Sequence, residues 1–366
     1  MIKLFKNVVF VMLASLIFAV PVWAEEAEVV TESGARRIPY NVAVRGATRN
    51  LADVTVFDNA IDDMTEIRQQ LQDMLTFRRR QGADRYVIIQ LEREIGELGA
   101  QINTMRAAQS MVRTSTEFAM RNSITTINNT LLDIKLLEAT LAHSRIEFEN
   151  AGLRMAAGLI SESDYNDAEL ALQAQEANLA ALLVSLDVER QDLNRIIQRP
   201  VTGYYYVGFD RALIDLPTNL DQAMRRTISR QPNVRQREIA RGRARATLND
   251  QDAVFGSPER QRRQRDYDQA TREYNDARRA VETVIRNQYN TLTMLLHNNE
   301  SLEIELQRAE EQLAVVELNV AAGLATIFDI EMARLSILQA EVAIERNLNM
   351  FWNAQFIFEN PFLMAR

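Results

Sequence analysis

The 366-residue chain has no cysteine, which excludes disulfides, thiolate chemistry and a lipid-anchored cysteine. Its two histidines, His143 and His297, do not form a His-x3-His pair, so they offer no metal-ligand spacing. No Gly-rich phosphate cradle occurs. Acidic clusters such as Glu303, Glu305 and Glu310–Glu311 are what a solvated helix face carries. Nothing assembles into a catalytic constellation, and the sequence predicts neither an enzyme nor a cofactor. Lysine is confined to positions 3, 6 and 135, so nearly all positive charge is arginine. The formal net charge is −8, which argues against general nucleic-acid binding. The seven prolines stand at 21, 39, 200, 217, 232, 258 and 361. Residues 40–199 therefore contain none, which permits very long uninterrupted helices.

Long apolar runs are scarce too. Val8 to Val20 falls short of the ~20 residues a transmembrane helix needs, and no other stretch approaches that length. With Lys3 and Lys6 before it and Val22-Trp23-Ala24 after it, residues 1–24 predict a secretory signal and an exported, envelope-located protein. An uncleaved anchor helix is the competing reading. Loss of this segment takes the net charge from −8 to about −10.

What the chain does contain is a repeat. Residues 158–164 read Gly-Leu-Ile-Ser-Glu-Ser-Asp and residues 323–329 read Gly-Leu-Ala-Thr-Ile-Phe-Asp, an offset of 165. A heptad ladder follows at the same offset: Leu172, Leu179, Leu186 and Leu193 match Ile337, Ile344, Phe351 and Phe358, and Ala168 matches Ala333. Phe57-Asp58-Asn59-Ala60-Ile61 is echoed by Leu220-Asp221-Gln222-Ala223-Met224. A duplicated unit of long heptad helices joined by a short Gly-Leu turn follows from this.

The expected organisation is an extended arm over 25–50, a first helical repeat over 51–200, a crossover over 201–217, a second repeat over 218–360 and a tail over 361–366. Within the first repeat the pattern predicts helices over 51–79, 86–156 and 163–198, with turns at 80–84 and 157–162. Gly203, Gly208, Pro217 and the aromatic run at 204–206 predict a crossover with one short strand. The second repeat predicts helices over about 218–251, 259–320 and onward to 358, with turns near Gly256 and Gly323. Gly82 to Gly158 and Gly256 to Gly323 span 76 and 67 residues, or roughly 100–115 Å of helix. Hairpins that long must bury their apolar stripes against other hairpins, from this chain or from partners.

With both turns in view, the chain resembles the TolC-like outer membrane efflux proteins over roughly residues 50–360. In that family the cell-proximal turn of each hairpin reads approximately Gly-Leu-x-x-x-x-Asp, which Gly158, Leu159, Asp164 and Gly323, Leu324, Asp329 match. The resemblance implies an all-α fold with minimal β. Duplicated antiparallel hairpins from three copies would close a twelve-helix tunnel. It implies docking of Gly158, Leu159, Ser161, Gly323, Leu324 and Thr326 on a periplasmic adaptor, itself attached to an inner-membrane pump of ABC or RND type. It also implies an acidic constriction. Asp329 matches a family position, with Glu331 adjacent and Asp164 its counterpart in the first turn. A second acidic family position falls on Met332, and the resting-state lock positions fall on Val320 and Ala325, so a salt-bridged gate is not expected. The bland role of Asp164 and Asp329 is to cap the helices they begin.

One departure is large. The family inserts long membrane-spanning strands at the far end of each hairpin, whereas Tyr86-Val87-Ile88-Ile89 and Ala253-Val254-Phe255 are too short for the ~9–11 residues such a strand needs. A tunnel without a membrane barrel is the expectation. Arg78, Arg79, Arg80 and Arg85 flank the first far turn and Arg260, Arg262, Arg263 and Arg265 the second. They predict a cationic collar for an anionic envelope polymer or lipid, against the competing reading of solvated helix ends. Cations suit the helix C-terminus at 78–80 but not the N-terminus at 260–265. Two other readings compete with the export conduit: a secreted coiled-coil spacer or envelope scaffold, and the adaptor itself. The adaptor carries one hairpin and β-rich domains, neither of which this sequence shows.

Overall fold

A computed structural model describes residues 36–49, 51–203, 205–208, 213–249 and 258–365. The signal expected over 1–24 and the far turn near Gly256 lie outside these residues. In chain order the elements are β1 (Arg36–Pro39), α1 (Tyr40–Arg49), α2 (Ala52–Arg80), α3 (Arg85–Ala156), α4 (Glu162–Ile196), β2 (Tyr205–Gly208), α5 (Leu220–Arg230), α6 (Pro232–Leu248), α7 (Pro258–Ala321) and α8 (Ile327–Glu359), closed by a 3-10 turn at Pro361–Leu363.

The two long helices follow from the absence of interior proline. α3 has 72 residues and α7 has 64, about 108 and 96 Å at 1.5 Å per residue. Each is flanked by two shorter helices in succession. α2 runs along the distal half of α3 and α4 along its proximal half; α6 and α8 do the same for α7. α3 also packs on α8 and α6. At the proximal level the helices therefore lie side by side in the order α4, α3, α8, α7, with α4 and α7 at the two edges.

Each repeat owns its core. Met120, Ile124, Ile127 and Ile134 of α3 meet Leu186 and Leu193 of α4, the ladder read from sequence. In the second repeat Met224, Ile228 and Val234 pack on Val281 and Ile285, and Leu292 and Leu295 on Phe351 and Ala354. The seam between repeats mixes ring contacts, such as Phe118 stacked on Phe356, with polar pairs. Across α3 and α8, Asn353 Nδ2 donates to Thr125 Oγ1 (3.0 Å), Asn349 Nδ2 donates to Asn129 Oδ1 (2.7 Å), and Arg346 pairs with Asp133.

Three expectations are corrected. Residues 40–49 are helix, not extended arm. Ala43 and Ala47 of α1 are buried in the first core, and Gly46 lies so close to the Ile197 carbonyl that a Cβ would sit 2.8 Å from its oxygen. Residues 36–39 are a strand, paired in parallel with β2 in the register Arg36 to Tyr205 and Pro39 to Gly208. The helix expected over 218–251 is two helices, because Pro232 has no N–H to continue α5 and instead starts α6. Gln231 fills the break. It is buried, and its Nε2 donates to the carbonyls of Thr227 (3.2 Å) and Glu359 (3.3 Å). The C-terminal tail is not free, since Pro361 and Phe362 are buried. The short crossover strand does form, at 205–208, and Asn194 Nδ2 ties the loop before it by donating to the Val201 and Gly203 carbonyls (3.1 and 2.6 Å).

Candidate functional site

The proximal tips are two copies of one device. Gly158 and Gly323 have φ of +70° and +73°, the left-handed region that glycine enters without a Cβ penalty. Around each, the same pair of hydrogen bonds closes the helix. Leu159 N donates to Arg154 O (2.8 Å) and Gly158 N to Met155 O (2.9 Å); Leu324 N donates to Asn319 O (2.8 Å) and Gly323 N to Val320 O (3.0 Å). This Schellman arrangement satisfies the carbonyls that a helix end leaves open.

The return helices start with capping boxes. Ser161 and Thr326 are the N-caps, and Asp164 and Asp329 stand three residues on, their carboxylates accepting from the N-cap N–H and hydroxyl. The resemblance offers the aspartates as a constriction, with capping as their bland role, and Ser161 and Thr326 as docking residues; all four take part in the capping boxes, whose S/T-x-x-D signature is present in the sequence. The hydroxyl and then the backbone N–H of Ser161 lower the Asp164 pKa, and the backbone N–H and then the hydroxyl of Thr326 lower that of Asp329. Glu331 pairs with Arg334 at 2.9 Å. Within one copy, then, both aspartates serve their own turns.

The tip leucines do not pack their own hairpins: Leu159 is 71% exposed and Leu324 79%. Leu153, Leu318 and Ile327 join them as exposed apolar residues at the same end. Leu153 and Leu318 carry the offset of 165 that marks the repeat, which is the signal in the sequence that points to them.

Both edges of the layer carry apolar residues that touch nothing in this chain's core. On α4 they are Leu170, Ala174, Ala177, Ala181, Val184 and Val188, all exposed and spaced alternately by four and three. This stripe lies on a different face from the Leu172–Leu193 ladder, which is spent on α3. On α7 the exposed apolar residues are Met294, Ile304, Val315 and Leu318, spaced by 10, 11 and 3 on one helical track whose intermediate positions are the exposed His297, Ser301, Arg308 and Glu311. An exposed apolar stripe on α4, with exposed apolar residues on the opposite edge, is the mark of an interaction surface.

At the far end, α2 ends and α3 begins within four residues, Gln81 to Asp84, around Gly82 at φ +68°. No strand pair intervenes at this turn. Asp84 caps α3, accepting from Tyr86 N at 3.2 Å. Among the eight collar arginines, Arg79 pairs with Glu92. Arg263 pairs with Glu259 (2.5 Å) and donates to the Thr247 carbonyl (3.0 Å). Arg260 is engaged as well. Arg78, Arg80, Arg85, Arg262 and Arg265 are exposed. Among the described residues no helix is long and apolar enough to cross a membrane.

No protein-family profile matches the sequence, and no curated protein matches it. Solved structures do match. The chain is similar to the outer membrane protein VceC from Vibrio cholerae (TM-score 0.56, 13% identity, 89% of this chain and 96% of that one). It is similar to the CmeC outer membrane channel of Campylobacter jejuni (0.60, 11%, 89% and 85%) and to the outer-membrane channel OprN (0.59, 12%, 88% and 90%). At these identities the likeness establishes the fold: the chain has the long-hairpin helical architecture of outer-membrane channels.

Proposed function

We propose that the chain is one third of a hollow helical conduit in the cell envelope, a passive exit duct rather than an enzyme. Three copies would place α7 of each against α4 of the next and close twelve helices into a tube. The observation that carries this reading is the pair of unpartnered apolar edges on α4 and α7. A single copy leaves both wet, and a heterologous ring covers both at once. The likeness to outer-membrane channels supports it.

In this reading the proximal tips, with Leu159 and Leu324 outermost and Gly158, Ser161, Gly323 and Thr326 shaping the turns, dock on a periplasmic adaptor attached to an inner-membrane pump of ABC or RND type. Asp329, Glu331 and Asp164 would contribute negative charge at the entrance, and the distal arginines would meet an anionic envelope polymer or lipid. The first far turn supports a tunnel without a membrane barrel.

The test is the mass of the purified protein in detergent-free buffer by light scattering, with negative-stain images of the same sample. The expected result is a trimer with a stain-filled axis roughly 100 Å long. Val184→Glu and Val315→Glu, one on each edge, should each give smaller species that keep their helix content. A wild-type monomer, or a solid rod, overturns the conduit and favours the spacer.

A further inference from the structure

A cavity of about 430 Å³ lies where α1 crosses the C-terminal end of α4, at mid-length of the molecule and far from both tips. Three arginines line it, Arg45, Arg49 and Arg199, each exposed to solvent, with Val42 and Ile197 beside them. No carboxylate among the described residues pairs with any of the three, although acidic side chains outnumber basic ones in the whole chain by eight. Asp192, seven residues before Arg199, is taken by Arg195 at 2.6 Å. Arg45 donates only to the Asn41 carbonyl (3.3 Å), within its own helix.

The hollow is built rather than incidental. Gly46 brings α1 onto the Ile197 carbonyl with no space for a Cβ. Gln198 adopts φ +56°, a conformation unusual for a residue with a side chain. Arg199 N then donates back to Asn194 O at 2.8 Å. Asn194, itself buried, pins the loop beyond. Helix C-termini favour cations, which accounts for Arg49 and Arg199 one at a time. It does not account for Arg45, nor for three arginines lining one hollow.

We infer that this cavity binds a phosphate ester. Three planar forks match the oxygens of a tetrahedral oxyanion. The volume exceeds that of a bare phosphate, and the Val42 and Ile197 wall suits a small organic group attached to it. A soluble phosphate ester and a phospholipid headgroup share this chemistry.

The test is titration calorimetry on the full chain with inorganic phosphate, glycerol 3-phosphate and water-soluble dihexanoyl phosphatidylglycerol. One site per chain is expected, with glycerol 3-phosphate binding more tightly than inorganic phosphate. Its affinity should rise as pH passes the second phosphate ionisation near 6 and fall with added salt. Arg45→Gln/Arg49→Gln/Arg199→Gln should lower that affinity by more than tenfold, with helix content unchanged by circular dichroism. Arg225→Gln/Arg226→Gln, at two exposed positions on α5, should leave it unchanged. Tighter binding of the phosphatidylglycerol assigns the site to a lipid headgroup, and tighter binding of the monoester to a soluble ligand. Absence of binding by all three probes, or equal binding by the triple variant, overturns the proposal. A triple variant that changes the mass of the assembly but not probe binding assigns the arginines to a neighbouring copy's carboxylate instead, and overturns it too.

Discussion

Arg121→Ala tests whether one side chain ties the N-terminal helix to both repeats. The Arg121 guanidinium donates from Nε to the Tyr40 hydroxyl (2.7 Å) and from Nη1 to the Trp352 carbonyl (3.1 Å). Its carbon lies 4.0 Å from the Trp352 ring centroid and 4.3 Å from that of Phe356. Tyr40 in turn donates to Glu117 at 2.7 Å, and burial, partly opposed by Arg121, raises its pKa. Hydrogen bonds from a charged donor contribute roughly 1.5–3 kcal/mol each, and an arginine stacked on an aromatic face roughly 0.5–2. These share one side chain and do not add in full, so the alanine variant should lose about 3–5 kcal/mol. Arg121→Lys keeps the charge but not the fork, and should lose about half as much. Tyr40→Phe should lose about 1–2 kcal/mol, and the double variant less than the two single losses combined. Denaturant unfolding gives the magnitude, and amide exchange over residues 40–49 gives the location. A loss under about 1 kcal/mol for Arg121→Ala, with exchange in α1 unchanged, would show that the contacts carry no coupling.

Three further outcomes are expected. Asp164 and Asp329 have folded pKa values below the ordinary 3.8, so their stabilisation of the tips is complete above the unfolded value and is lost as pH falls through the folded one. Protection factors for amide exchange at 158–166 and 323–331 should therefore fall in acid before those of the α3–α4 core do, and Asp164→Asn should show the lower protection at 158–166 at neutral pH. In a reconstituted channel Asp329→Asn should reduce cation selectivity; an unchanged reversal potential would remove Asp329 from the entrance. Replacing the eight collar arginines by glutamine should abolish sedimentation with anionic liposomes, and persistent binding would leave those residues as solvated helix ends.

The helices and turns were legible because their determinants are local. The ends of α2, α3 and α4 fall within one or two residues of the pattern, since Gly82 and Gly158 announce the positive φ that stops a helix. The repeat offset located the second tip from the first. What escaped were features that depend on distant partners. α1 looks weakly patterned because only Ala43 and Ala47 are buried, and small residues leave little trace in a hydropathy profile. The Arg121 hub gathers positions 40, 117, 121, 352 and 356, and the Asn129–Asn349 seam joins two polar residues that a heptad reading assigns to solvent. The break at Pro232 is different. Its proline was visible, and the continuous helix drawn through it gave more weight to periodicity than to the missing N–H.

β1 and β2 pair 169 residues apart in sequence, with the whole first hairpin between them. In topological terms that hairpin is the crossover of a parallel strand pair, stretched to about 100 Å. The clasp cannot close until α4 has returned alongside α3, and nothing from the second repeat takes part in it. The first repeat can therefore finish as a self-contained unit, its ends knotted together by four residues on each side, before the second is in place. Long-range closure of this kind is slow. The rate at which the clasp forms would then set when the face of α3 that carries Phe118 and Arg121 becomes available to receive α8, making the small sheet the timekeeper of assembly in a molecule otherwise made of helices.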